Sequence, residues 1–379
     1  MCWQPPSATH STTNAPAQLL VGADQLDLLL PMLQGKSVGL VVNHTALLRN
    51  GTHLADTLLA LKINVTRVLA PEHGFRGNAD AGEHVADSRD ARTGLPIVSL
   101  YGANRKPTAE QLAGLDVVIF DIQDVGTRFF TYISTMHYVM EACAESNKKV
   151  IILDRPNPNG SYVDGPILEK ELTSFVGMHP IPIVHGMTVG ELAQMINGEG
   201  WLANGARCEL AVVPVKNWTH NQFYSVPVKP SPNLPDDQAI RLYPSICLFE
   251  GTALSLGRGT YTPFEMIGHP SLKNFTFSFT PVSIDGMSKQ PPLQNQVCYG
   301  LDLRKVNVEA EVDLHYLIDM YKVFPDRANF FNKGFNRLAG TTQLQDQIKA
   351  GWTEEKIRAT WQPGLAAFKA KRTQYLIYP

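Results

Sequence analysis

The chain has 379 residues, 44% hydrophobic and 18% charged, with a formal net charge of −2. That is globular composition, long enough for two domains. The charge balance leaves no electrostatic footprint for nucleic acid or an anionic membrane surface, no run approaches the ~18 apolar residues of a membrane-spanning helix, and no repeat appears at a solenoid period.

Met1-Cys2-Trp3-Gln4-Pro5-Pro6 leads into a Ser/Thr/Ala/Pro-rich stretch. It is too poor in apolar residues to bury a core, so residues 1–16 are expected to be a flexible linker. No secretory signal is visible in it. A Cys directly after Met and ahead of such a linker is also what a lipoprotein would look like if its signal were cut at the lipidated Cys and a start Met added in front. Two readings stay open: Cys2 as a lipid anchor, or Cys2 as an exposed thiol in a tail. The other cysteines are Cys143, Cys208, Cys247 and Cys298. None forms a CxxC pair, which disfavours a structural zinc site. Cys143 falls on the apolar face of a predicted helix.

In chain order, residues 24–33 have helical apolar spacing. A strand is predicted over 37–42, a helix capped by Thr52 runs through Leu61, and a second strand covers 64–70. The second strand ends in Ala70-Pro71-Glu72-His73-Gly74-Phe75-Arg76-Gly77. Residues 76–94 are polar and Gly-rich, with Asp80, Glu83, His84, Asp87, Asp90 and Arg92, and are expected to form a long functional loop. Further strands are predicted at 95–102, 116–121, 149–154, 181–185 and 209–215. Helices separate them, starting at Thr108, spanning 130–146 and, after a Thr188/Glu191 capping box, reaching Asn197. Apolar strands alternating with helices predict an α/β fold, a Rossmann-like doubly wound, mostly parallel sheet. The first domain is expected over 17–230. No GxGxxG follows the first strand, so a dinucleotide site is disfavoured and no cofactor is expected. Residues 231–274 are rich in Pro and Gly and are read as a substrate-facing connection. Strand-like runs and then helices near 313–323, 342–349 and 353–371 predict a smaller α+β C-terminal domain over 275–379.

The chemistry-bearing residues gather at predicted strand ends. Glu72, Asp121, Asp124, Asp154 and Glu250 are the carboxylates available for glycoside hydrolysis, which needs an acid and usually a second carboxylate. A Glu between Pro and His, screened from water, suits proton donation. Arg76, Arg128, Arg155 and Arg258 are candidates for bidentate binding of an anionic substrate group, or for structural pairing with neighbouring Asp residues. His73, His185 and Asn233 complete the candidate binding set. Metal hydrolysis through Glu72, His73, Asp121, Asp124 and His185 is the weaker alternative, because HxH and HExxH clusters are lacking. There is no GxSxG elbow for a Ser nucleophile.

The motifs A-P-E-H-G-F-R-G (70–77), D-V-G-T-R-F-F-T-Y (124–132), L-D-R-P-N-P (153–158), H-G-M-T-V-G-E-L-A (185–193), S-P-N-L-P (231–235), L-F-E-G-T (248–252) and G-R-G-T-Y-T-P-F-E (257–265) occur in one order. With V-C-Y-G-L-D-L (297–303) and the Y-L-I-Y-P end, they make the chain resemble the bacterial NamZ-type exo-β-N-acetylmuramidases over everything after the N-terminal linker. The resemblance implies two domains with a cleft between them, and release of N-acetylmuramic acid from non-reducing ends of peptidoglycan-derived saccharides. It implies Glu72 as the leading catalytic group. If the substrate's own acetamido group attacks, Asp121 or Asp124 would orient it. A cell-wall substrate implies a periplasmic or cell-surface placement. A protein that only binds such sugars remains the alternative from a different class; it would gain nothing from Glu72.

Overall fold

The computed structural model describes residues 18–72, 74–76, 88–102 and 104–379. Expectations at Cys2, at His73 and over Asp80 to Asp87 therefore lie outside the described residues. The first half of the chain runs α1 (Leu26–Leu33), β1 (Ser37–Val42), α2 (Leu54–Ala60), β2 (Asn64–Ala70), β3 (Ser88–Arg89), β4 (Pro96–Ser99), α3 (Ala109–Leu112), β5 (Val117–Asp121), α4 (Tyr132–Glu145), β6 (Lys149–Leu153), α5 (Val189–Gly198) and β7 (Glu209–Val213). The seven strands form one sheet in the order β3-β4-β2-β1-β5-β6-β7. All the pairings are parallel except β3 with β4.

The strands are apolar on both faces because both faces are covered. Val118 and Phe120 of β5 and Val150 and Ile152 of β6 pack into one cluster with α4 and α5, whereas Val117, Ile119, Ile151 and Leu153 pack into another with α1 and α2. Strand order runs outward in both directions from the adjacent β1 and β5. In such sheets, the crevice beyond the carboxyl ends of the strands at this switch point is where ligands bind.

The second half carries α6 (Asp237–Ile246), β8 (Met266–His269), β9 (Phe277–Phe279), β10 (Cys298–Asp302), α7 (His315–Val323), α8 (Phe335–Ala339), α9 (Gln343–Lys349) and α10 (Glu354–Arg372). Strands β8, β10 and β9 make a small antiparallel sheet. The architecture is the expected one: a doubly wound, mostly parallel α/β sheet with a smaller α+β part.

Two local expectations change. Residues 181–185 do not join the sheet; Val184 makes only isolated bridges to Thr127 and Asp164. Pro182 has no N–H to give a ladder, and the run is buried as an irregular segment rather than a strand. The seventh strand is instead β3, inside the stretch expected to be loop. Likewise α6 arises in the Pro-rich segment. Asp236 caps it by accepting from Ala239 N at 3.0 Å, and Pro244 is accommodated within it.

Candidate active site

A cavity of about 240 Å³ opens beyond the carboxyl ends of β2 and β4 and the start of α4, with residues from 231–264 forming its far wall. Glu72 lies on its lining, two residues past β2. Thr131, the residue before α4, leaves its hydroxyl unspent on its own helix. Instead Thr131 Oγ1 donates to Glu72 Oε2 at 3.0 Å. Tyr101, just past β4, also hydrogen-bonds Glu72; burial first, and then the Glu72 charge, push the tyrosine pKa up, so Tyr101 stays a protonated donor. The amino end of α4 adds a favourable dipole for negative charge here. The carboxylate is thus oriented by two hydroxyls from two different elements.

On the far wall Arg258 donates to Glu250 Oε1 through Nε at 2.7 Å and Nη2 at 2.5 Å. The backbone around Arg258 needs its glycines: Gly257 and Gly259 have φ of 87° and 83°, and a Cβ would stand 2.6 Å from Met266 Cγ at one and 2.5 Å from Pro291 Cγ at the other. Phe264 has φ of 68°, a genuine outlier for a bulky residue, of the kind that persists where surroundings over-determine it. Its N–H donates to Leu256 O at 2.8 Å, and its ring packs edge-on against Tyr243, with centroids 4.9 Å apart. Arg258 lies over the same ring at 5.2 Å. Asn233 also lines the cavity; its Nδ2 donates to Met287 O at 2.9 Å, while its buried Oδ1 has no partner among the described residues.

The other predicted residues are placed elsewhere, each for a visible reason. Asp121 and Arg155 are both buried and form a bidentate pair, Nε to Oδ1 at 2.5 Å and Nη2 to Oδ2 at 2.9 Å. Neither lines the cavity, because each consumes the other. Asp124 is buried under the turn it caps, accepting from Gly126 N at 2.6 Å; burial pushes its pKa up to about 7. His185 is fully buried 3.9 Å from Asp124, and burial, then the Arg372 charge, push its pKa down to about 3. Asp154 is buried among Thr188 Oγ1, Gly190 N and Tyr378 OH, with the tyrosine at 2.6 Å. It ties the chain's carboxyl-terminal segment to the end of β6. Arg128 is wholly buried and donates to four backbone carbonyls, those of Pro166, Ile181, Leu338 and Ala339. Arg76 pairs with Asp90 at 2.8 Å and does not line the cavity.

Glu72, Asn233, Glu250 and Arg258 are therefore brought together, whereas Asp121, Asp124, Arg76, Arg128, Asp154, Arg155 and His185 serve the frame around them. Reading the sequence missed Tyr101, Arg105, Thr131, Phe175 and Tyr243 as lining residues. Thr131 carried a signal, its place in D-V-G-T-R-F-F-T-Y; Arg105 stands in a polar turn that fits no pattern. Among the described residues no group of three His, Cys, Asp or Glu side chains converges on a point where a metal ion would sit.

The family described as exo-beta-N-acetylmuramidase NamZ matches in both its parts, the N-terminal one over residues 38–238 and the C-terminal one over 241–378. The peptidoglycan beta-N-acetylmuramidase NamZ of Bacillus subtilis (strain 168) is 38% identical over 404 aligned positions, covering 98% of this chain and 95% of that protein. Crystal structures of two DUF1343 family proteins from Bacteroides fragilis NCTC 9343 superpose with TM-scores of 0.88 and 0.80 at 46% and 30% identity. The matches cover 96% and 95% of this chain and 99% of each of theirs.

Proposed function

The chain belongs to the exo-β-N-acetylmuramidase NamZ family and is a glycoside hydrolase, and we propose that Glu72 is the acid with which it releases N-acetylmuramic acid from the non-reducing ends of peptidoglycan fragments. The observation that carries the assignment is the placement of Glu72 on an aromatic-lined cavity, oriented by Tyr101 and Thr131.

In the protonated state Glu72 gives its proton to the glycosidic oxygen. The bond from that oxygen to the anomeric carbon breaks, its electron pair leaves with the departing sugar, and positive charge develops on the ring. Glu250 is already engaged by Arg258, and Asp121 and Asp124 do not line the cavity. With no uncommitted second carboxylate among the described lining residues, the substrate's 2-acetamido carbonyl is the attacking group in this reading, oriented by neither Asp121 nor Asp124; water completes the cycle and Glu72 takes back a proton. Net retention at the anomeric carbon is then expected, and proton NMR of the first-formed sugar checks it; inversion contradicts this route.

Exo action is tested with defined oligosaccharides that end in N-acetylmuramic acid or in N-acetylglucosamine at the non-reducing end. Free N-acetylmuramic acid from the first alone is the expected product, whereas internal cleavage of both contradicts the proposal. A cell-wall substrate places the enzyme in the periplasm or at the cell surface, with Cys2 as acyl acceptor. Incorporation of radiolabelled palmitate into the wild type but not into Cys2→Ser is the expected sign, and equal labelling of both contradicts it.

A further inference from the structure

We propose that Arg105 reads the lactyl carboxylate of the substrate's terminal N-acetylmuramic acid and sets the preference for this sugar over N-acetylglucosamine, an assignment that rests on the muramidase reading above. Among the described residues the cavity lining holds two carboxyl groups and two guanidinium groups, those of Glu72, Glu250, Arg105 and Arg258. Glu250 and Arg258 neutralise each other. With Glu72 acting as the acid in the reading above, the charge left over among the described lining residues is the guanidinium of Arg105, and no carboxylate pairs with it among the described residues. A substrate bringing one carboxylate into this space completes the balance; a neutral sugar leaves a cation unanswered.

The other arginines do not offer this. Arg76 is held by Asp90, Arg155 by Asp121, and Arg128 by four carbonyls outside the cavity. Arg105 is also oriented. Its Cζ lies 4.4 Å from the centroid of the Phe175 ring, a cation–π contact that holds the guanidinium in place while its N–H groups can serve a bidentate acceptor. Phe175 is itself fixed, because its carbonyl accepts from Ser134 Oγ at 2.7 Å and its ring stacks on Tyr138. The lactyl ether stands on C3 of the sugar, next but one to the anomeric carbon. A ring presenting its anomeric oxygen to Glu72 therefore carries the lactyl arm only a short distance away.

The test compares aryl β-glycosides of N-acetylmuramic acid and of its lactyl methyl ester, which differ only in that charge, on wild type, Arg105→Gln and Arg105→Lys. Wild type is expected to favour the acid in kcat/KM by about 10- to 100-fold, the range of a hydrogen bond to a charged group. Arg105→Gln should lose that preference while turning over the ester within about 3-fold of wild type, and Arg105→Lys should keep part of it, since a point charge lacks the fork. Calorimetric titration with N-acetylmuramic acid and its methyl ester gives a second reading that needs no turnover. Acid-selective binding in wild type that disappears in Arg105→Gln supports the assignment even if neither glycoside is cleaved, in which case the hydrolase reading is what fails. No acid preference in wild type, a preference undiminished in Arg105→Gln, or equal losses on acid and ester would each overturn it.

Discussion

Glu72 is tied to two hydroxyls, and those hydroxyls come from elements far apart in sequence. The bond from Thr131 and the one from Tyr101 orient the carboxyl rather than create it, so their loss should lower turnover more than binding. Thr131→Val and Tyr101→Phe are each expected to reduce kcat by about 10-fold with a smaller change in KM, the worth of one well-placed hydrogen bond. Steady-state kinetics on a chromogenic muramic glycoside checks this, and a rise in KM with kcat intact contradicts it. At this scale the sequence was partly legible. A Glu two residues beyond an apolar run reads as a strand-end carboxylate, and its motif context adds to that. Arg105 was not legible: its meaning comes from Phe175, 70 positions away in the chain, and only folding shows that contact.

Buried ion pairs and backbone clamps explain why so many predicted site residues belong to the frame. Strand ends collect polar side chains, and from sequence a strand-end Asp that faces a ligand looks like one that faces an Arg. Asp121 ends β5 and Arg155 lies two residues past the neighbouring parallel strand β6, so the sheet brings them together and water is excluded. Breaking this pair leaves a buried charge unanswered. Asp121→Asn or Arg155→Met is expected to lower stability by about 3–5 kcal/mol in urea unfolding, and an unchanged midpoint contradicts the structural role. Arg128 clamps segment 166–181 to the end of α8 in the same way, and Gly340 permits it. Gly340 has φ of 77°, and a Cβ there would sit 2.2 Å from Arg128 Nη2. Gly340→Ala should cost more than about 1 kcal/mol, seen as a lowered Tm. The α/β pattern itself was readable because β1, β5 and β6 are near-continuous apolar runs. The run 181–185 mimicked one, since hydrophobicity reports burial and not ladder hydrogen bonding.

Across the whole molecule, burial of ionisable groups away from the cavity sets the pH range of the fold. Burial raises Asp124 to about 7, Asp154 to about 6 and Glu265 to about 7. The folded state then holds protons that the unfolded chain has released above the ordinary carboxylate value of 3.8–4.5. Stability therefore falls as pH rises from that range toward neutrality. His185, at about 3, and His179, also lowered by burial, act at the other end. The unfolded chain takes up their protons below the ordinary value of 6.5 and the folded one does not, so they lower stability as pH falls. Asp124→Asn is expected to raise Tm relative to wild type more at about pH 8 than at about pH 5, read by thermal melts in matched buffers. An equal shift at both pH values contradicts the linkage.

The two-part architecture positions the cavity where a doubly wound sheet presents its strand ends, and the Gly- and Pro-rich segment supplies the opposite wall. Its general location was readable from the clustering of motifs at those ends. Its composition was not, because Tyr243 and Phe264 reach it from a helix and a strained turn that local sequence disguised. The central claim is that Glu72 is the acid of a muramic acid hydrolase. The most direct measurement is chromophore release from an aryl β-glycoside of N-acetylmuramic acid by wild type and Glu72→Gln, side by side, with Tm recorded for both. Release by wild type, a fall of about 100-fold or more in Glu72→Gln and similar Tm values are predicted. A folded Glu72→Gln that retains wild-type turnover would contradict it.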